Sequence, residues 1–112
     1  MKCDVSIHER YSLIRIYDDH LAQSAFFEIG SLVQEALQAG SSNLIVDMSH
    51  IDFVDSLAVG ALMAANMTCK QLGGGLVLAN VAARITNIAI IATSNTLVVA
   101  PSVEAAARSF DN

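Results

Sequence analysis

The chain has 112 residues, 54% of them hydrophobic and 15% charged, with a formal net charge of −5. A chain of this length can bury one self-sufficient core, so residues 1–112 are read as a single domain, and the apolar content excludes general disorder. The Lys and Arg residues are scattered as Lys2, Arg10, Arg15, Lys70, Arg84 and Arg108 and form no basic patch for nucleic acid or anionic lipid, which makes a protein the expected partner.

Cys3, Val5 and Ile7 alternate with polar residues, and after a turn near Glu9-Arg10 the run Tyr11 to Tyr17 is rich in strand formers, which predicts an opening hairpin. Asp18-Asp19-His20 breaks the second strand. Apolar positions 22, 25, 26, 29, 32, 33 and 36 have amphipathic spacing and predict a helix over 22–39, ended by Gly40. Gly30 costs that helix about 1 kcal/mol relative to alanine, which points either to close packing against a neighbour or to simple tolerance.

Asn43 to Met48 is almost unrelievedly apolar, the pattern of a strand buried on both faces at the centre of a sheet. A second helix is predicted from about Ser56 to Leu72, stopped by Gly73-Gly74-Gly75, and Leu76 to Ala79 supplies the next strand. Strand, helix, strand in this order implies a right-handed parallel crossover. Ala82 to Thr93 suits strand or helix by composition, and its length favours helix. Thr96 to Ala100 reads as a short strand; Ser102 then caps a last helix that carries Glu104 in its first turn and ends near Phe110. The order is ββαβαβαβα, an α/β fold with a mixed, mostly parallel sheet and helices.

Several chemistries are excluded. The apolar runs, such as Ile88 to Ala92, are far short of the roughly 20 residues of a membrane span, so a soluble protein without membrane insertion is expected. Cys3 and Cys69 have neither CxxC spacing nor a preceding signal-peptide pattern, and are read as reduced packing residues of a cytoplasmic protein. His8, His20 and His50 lie in separate turns without metal-ligand spacing, and no phosphate-cradling glycine motif occurs, so neither a metal nor a cofactor is expected. The acidic pair Asp18-Asp19 and the strand-end Asp47 suggest a phosphoaspartyl receiver, but no lysine ends a late strand. Asp47 is more simply a residue that hydrogen-bonds its own loop. Asp55-Ser56 with His50 or His20 has no assigned general base for a nucleophile triad, so no enzyme and no catalytic residue is expected.

The informative stretch is Asn43 to Leu72, in which an apolar strand, a short acidic loop and an apolar helix follow without a break. Asp and Ser are the commonest N-caps, so Asp55-Ser56 alone reads as capping. A helix N-terminus also offers free amides and the positive end of a dipole, a setting that suits a phosphate. The order Val54-Asp55-Ser56-Leu57-Ala58-Val59-Gly60 resembles the signature at the start of the second helix in the STAS family, the sulfate-transporter and anti-sigma-factor-antagonist domains. The resemblance is strong over Leu44 to Gly60 and extends across Cys3 to Phe110. It departs at Ala58, where the family has its first signature glycine, and at Ser94-Asn95, where a glycine is usual. It also departs at Asp18-Asp19-His20-Leu21, where Leu21 stands in place of a family aspartate unless Asp18 or Asp19 substitutes for it.

This resemblance implies a STAS fold of the anti-sigma-factor-antagonist type and a serine phosphorylated at Ser56, with Asp55, Leu57, Ala58 and Gly60 as its neighbours. The implied partners are a serine kinase, often also the anti-sigma factor, and a serine phosphatase. The stand-alone layout also resembles single-domain STAS regulators of biofilm polysaccharide production. A STAS subunit of a lipid-transport ATPase and a stand-alone transporter or stressosome domain are the alternatives. The second helix is apolar nearly all round, more than one side of a sheet can bury, so part of it is expected at the surface. Leu57, Val59 and Met63, with Asp52 and the Asp19–Leu21 turn, form the expected partner surface.

Overall fold

Alternating apolar residues form β1 (Cys3–Ile7), which pairs antiparallel with β2 (Ser12–Ile16). In the computed structural model, which describes residues 2–21, 25–88 and 97–111, the chain continues through a two-residue strand β3 (His20–Leu21) into helix α1 (Ala25–Ala39). Next come β4 (Asn43–Asp47), a second two-residue strand β5 (Phe53–Val54), α2 (Ser56–Gln71) and β6 (Gly75–Ala79). Thr86 to Ile88 are helical, and the chain closes with β7 (Val98–Ala100) and α3 (Val103–Arg108). The expected helix beyond Ile88 and the Ser94-Asn95 departure lie outside the described residues.

The five-stranded sheet has the order β1-β2-β4-β6-β7, antiparallel only at the β1–β2 pair. The apolar run of β4 is therefore central, as its composition predicts, and the period-2 alternation of a strand divides its side chains between two cores. Leu44 and Val46 face the layer of α1 and α2, whereas Ile45 joins Leu13, Val77, Ala79 and Ala106 on the face covered by α3.

Helix ends follow the residues available. Asp55 caps α2, its Oδ1 accepting from the Ala58 amide at 2.8 Å, and Ser102 caps α3 by accepting from Ala105 at 3.0 Å. At its C-terminus α2 ends in a Schellman arrangement: the Gly73 amide donates to the Lys70 carbonyl and the Gly74 amide to the Cys69 carbonyl. Gly73 has φ 89°, open to glycine at no steric cost, and a side chain on Gly74 would collide with the Ser42 carbonyl. Gly30, by contrast, is exposed and has open space where a Cβ would stand, so it is tolerated and not required by packing.

Candidate functional site at the start of α2

The loop between β4 and α2 is organised by a second, two-stranded parallel sheet that pairs His20 with Phe53 and Leu21 with Val54. The Asp19 carbonyl accepts from the Asp52 amide at 2.6 Å and the Phe53 amide at 3.3 Å, and the Leu21 carbonyl accepts from the Asp55 amide at 3.0 Å. Sequence positions some thirty residues apart, the acidic turn after β2 and the loop before α2, are thereby fixed side by side. Asn87 Nδ2 donates to the Val54 carbonyl at 2.6 Å and seats the following turn on the same loop, where Arg84 also pairs with Asp52. Both members of that ion pair are exposed, so its energetic contribution is small.

Asp55 ends the loop in an extended conformation, with ψ 173°, and Ser56 is the first helical residue. Its hydroxyl is at the surface. The Ser56 and Leu57 amides precede the first possible intrahelical bond, so they and the positive end of the helix dipole are directed at Ser56, beside the carboxylate of Asp55. Leu57 is 48% exposed and Phe53 51% exposed, which leaves two large apolar side chains flanking the serine. The His20 ring stands edge-on to Phe53, with centroids 5.6 Å apart.

The expected partner surface needs correction. Leu21 is completely buried and Val59 nearly so, both in the main core. Leu21 points inward because the β3–β5 pairing turns the alternate residue, His20, to solvent. Val59 lies on the stripe of α2 that includes Ala58, Leu62, Ala65 and Cys69 and faces the sheet. Met63 is half-buried against the same core. Asp19, Asp52 and Leu57 are exposed, as is Gly60, and Ala58 is buried. Asp18 accepts from the Lys2 amide at 2.6 Å, while Asp19 contributes its backbone to the loop pairing. Phe53 has no place in the sequence-based surface; its only signal is a large aromatic two residues before the helix cap.

Asp47 has the structural role expected of it, and it reaches further than its own loop. Its carboxylate accepts from the Ser49 amide at 3.1 Å, from Asn80 Nδ2 at 3.0 Å and from Arg15 Nε at 2.9 Å, tying the C-terminal ends of β2, β4 and β6. Asn80 holds φ 59°, a left-handed conformation that asparagine tolerates better than most residues. Burial pushes the Asp47 carboxyl up, but the hydrogen bonds from Asn80, Arg15 and Ser49 outweigh it and hold it below the ordinary carboxylate range. Asp47→Asn should cost about 1–3 kcal/mol at neutral pH, since an amide has one acceptor oxygen and its NH2 would face donors. A depressed carboxylate stabilises the fold only while ionised, so this deficit should shrink as the pH falls below the ordinary carboxylate range. Denaturant titrations of both proteins across that range test it; a deficit independent of pH would refute the assignment.

A mixed, mostly parallel sheet with a capped helix entered from its central strand, and an exposed serine as the first helical residue, defines an α/β domain of the STAS fold. The chain belongs to the STAS family: the family model described as Mlab, STAS domain, matches residues 19–99. Among curated proteins, no sequence matches significantly. Among solved structures the Thermotoga maritima protein TM1081, described as an anti-sigma factor antagonist, superposes with a TM-score of 0.79 at 12% identity, over 98% of this chain and 95% of that one. The Bacillus cell fate determinant SpoIIAA in its phosphorylated form gives 0.71 at 19% identity, over 96% and 99%. The murine anion transporter Slc26a9 gives 0.74 at 18% identity over 93% of this chain but only 18% of its own, so the same fold also occurs as a small part of a much larger protein. At these identities the likeness establishes the fold.

Proposed function

We propose that the protein is a non-enzymatic, single-domain regulator of the anti-sigma-factor-antagonist type, switched by phosphorylation of Ser56 and acting by binding a protein partner. The observation that carries this reading is the position of Ser56: exposed, first in a capped helix, and flanked by exposed Phe53 and Leu57. The superposition on SpoIIAA, whose structure is known in a phosphorylated form, supports it. On this reading the partners are a serine kinase, which can itself be the anti-sigma factor, and a serine phosphatase, all in the cytoplasm, and the output is regulation of transcription. A narrower version places the protein in control of biofilm polysaccharide production, in the manner of the STAS regulator SypA. Among the described residues no helix is long and apolar enough to cross a membrane.

Incubation with its kinase and ATP should add a single phosphate that Ser56→Ala abolishes; phosphate mapped to Ser49, Ser24 or Ser102 instead would refute the assignment. A second reading is favoured by the name Mlab in the matching family description. There the protein is the STAS subunit of a lipid-transport ATPase and the start of α2 is a docking surface with no phosphate switch. Copurification of an ABC ATPase, in place of a histidine-kinase-like ATPase domain, would favour that reading.

A further inference from the structure

The peptide unit that joins Val54 to Asp55 is held at both ends. Its N–H, the Asp55 amide, donates to the Leu21 carbonyl at 3.0 Å, and its C=O, the Val54 carbonyl, accepts from Asn87 Nδ2 at 2.6 Å. The direction of each bond follows from the strand. Phe53 and Asp55 turn their amides to β3, so the backbone groups of Val54 between them point to the opposite side. No described strand pairs with β5 on that side, and the side-chain amide of Asn87 takes the place of one.

Asn87 is itself well anchored. Its Oδ1 accepts from the Ile88 amide at 3.0 Å, which orients the side chain, and the neighbouring Ile85 and Ile88 are buried in the same core as Leu21 and Val54. Val54 is 3% exposed, so without Asn87 its carbonyl would find little water in exchange. A planar peptide fixed at both its N–H and its C=O cannot rotate, and only the φ and ψ of Asp55 separate that plane from the Cα of Ser56. The Asp55 carboxylate restrains that step in turn by accepting from the Ala58 amide at 2.8 Å.

We infer that Asn87 is the positioning residue of the Ser56 site: by holding the Val54 carbonyl it fixes where the Ser56 hydroxyl stands when a kinase takes the start of α2 as a folded substrate. The inference rests on the phosphorylation reading of Ser56. In that step Ser56 Oγ bonds to the γ-phosphorus of ATP, the bond from that phosphorus to the β,γ-bridging oxygen breaks, ADP leaves, and the hydroxyl proton passes to a base of the kinase. The attacking oxygen must stand about 3–3.5 Å from the phosphorus and in line with the leaving oxygen, and a misplacement of about 1 Å can cost a hundredfold in rate. A serine that opens a helix moves only with its backbone, so the fold has to place it. Asn87 touches neither ATP nor the hydroxyl and acts through the Val54–Asp55 peptide.

Two measurements on the full chain test this. Amide hydrogen exchange by NMR reads the restraint without a kinase. In Asn87→Ala the Asp55 amide should exchange at least about tenfold faster than in the wild type, with a smaller change at Ile45 and Val77 of the central strands. Arg84→Ala removes the exposed ion pair from the same turn and should leave Asp55 within about twofold. Phosphorylation kinetics, with ATP and the kinase of the incubation above, read the consequence. Asn87→Ala should lower kcat by about tenfold or more with KM within about twofold, because Phe53 and Leu57 remain exposed for docking. Asn87→Asp keeps the size and the Oδ1 acceptor but turns a second acceptor on the Val54 carbonyl; it should do the same, and it decides the matter if Asn87→Ala does not fold. Asn87→Gln keeps an amide donor and should recover part of the rate. Unchanged Asp55 exchange, a loss confined to melting temperature or KM, or wild-type kcat in the folded variants would overturn the inference alone. A wild type that takes no phosphate at Ser56 would overturn the phosphorylation reading and this inference with it.

Discussion

Ser56→Asp should lose the partner while keeping its melting temperature, and Ser56→Ala should keep both and behave as permanently active. The fold has no quarrel with negative charge at this position. Ser56 is the first helical residue, exposed, with amides and the dipole of α2 directed at it, so a phosphate or carboxylate there is locally neutral to favourable. The penalty arises on binding. A partner that covers Phe53 and Leu57 must also cover Ser56, and it would then desolvate a charge beside the carboxylate of Asp55 with no cation assigned to it. Such a burden of several kcal/mol corresponds to about a hundredfold or greater loss of affinity. Melting curves and partner affinity for the two variants test this. If Ser56→Asp binds as tightly as the wild type, or fails only because it unfolds, the phospho-switch is wrong and the ATPase-subunit reading gains.

Ile45→Asp should be the most damaging core substitution. Ile45 is completely buried in the central strand, opposite Leu13 on one neighbour and Val77 on the other, with Ala106 of α3 in the same cluster. A carboxylate there has no hydrogen-bond donor assigned to it and either stays charged at large cost or takes up a proton. The expected loss, about 4 kcal/mol or more, approaches the roughly 5–15 kcal/mol that holds a domain of this kind folded. Urea titration measures it. A soluble variant with wild-type melting behaviour would contradict the placement of β4.

What could be read along the chain was what depends on neighbours in sequence. The apolar run of Leu44 to Val46 reports its own burial, because a strand covered on both faces needs no polar alternation. Asp55, Ser102 and the glycines after Leu72 report the helix ends, because caps act on amides and carbonyls within a few residues. The Ser56 position follows from the same local grammar. The β3–β5 pairing is different: two residues are too few to show a period, and the strands exist only because the Asp19 and Leu21 carbonyls meet amides more than thirty residues away. That pairing is also what buries Leu21 and exposes Phe53.

For α2 the sequence leaves the facing side open, since apolar residues occur around most of the helix. Only its docking on the sheet and α1 sends Val59 into the core and leaves Leu57 and Met67 at the surface. Asp47 likewise is visible as a strand-end carboxylate, while its partners Arg15 and Asn80 lie 32 and 33 residues away and are supplied by the strands on either side. Local hydrogen bonding and periodicity act over a turn of helix or a few residues of strand, whereas burial and long-range polar pairing depend on which surfaces the folded chain brings together.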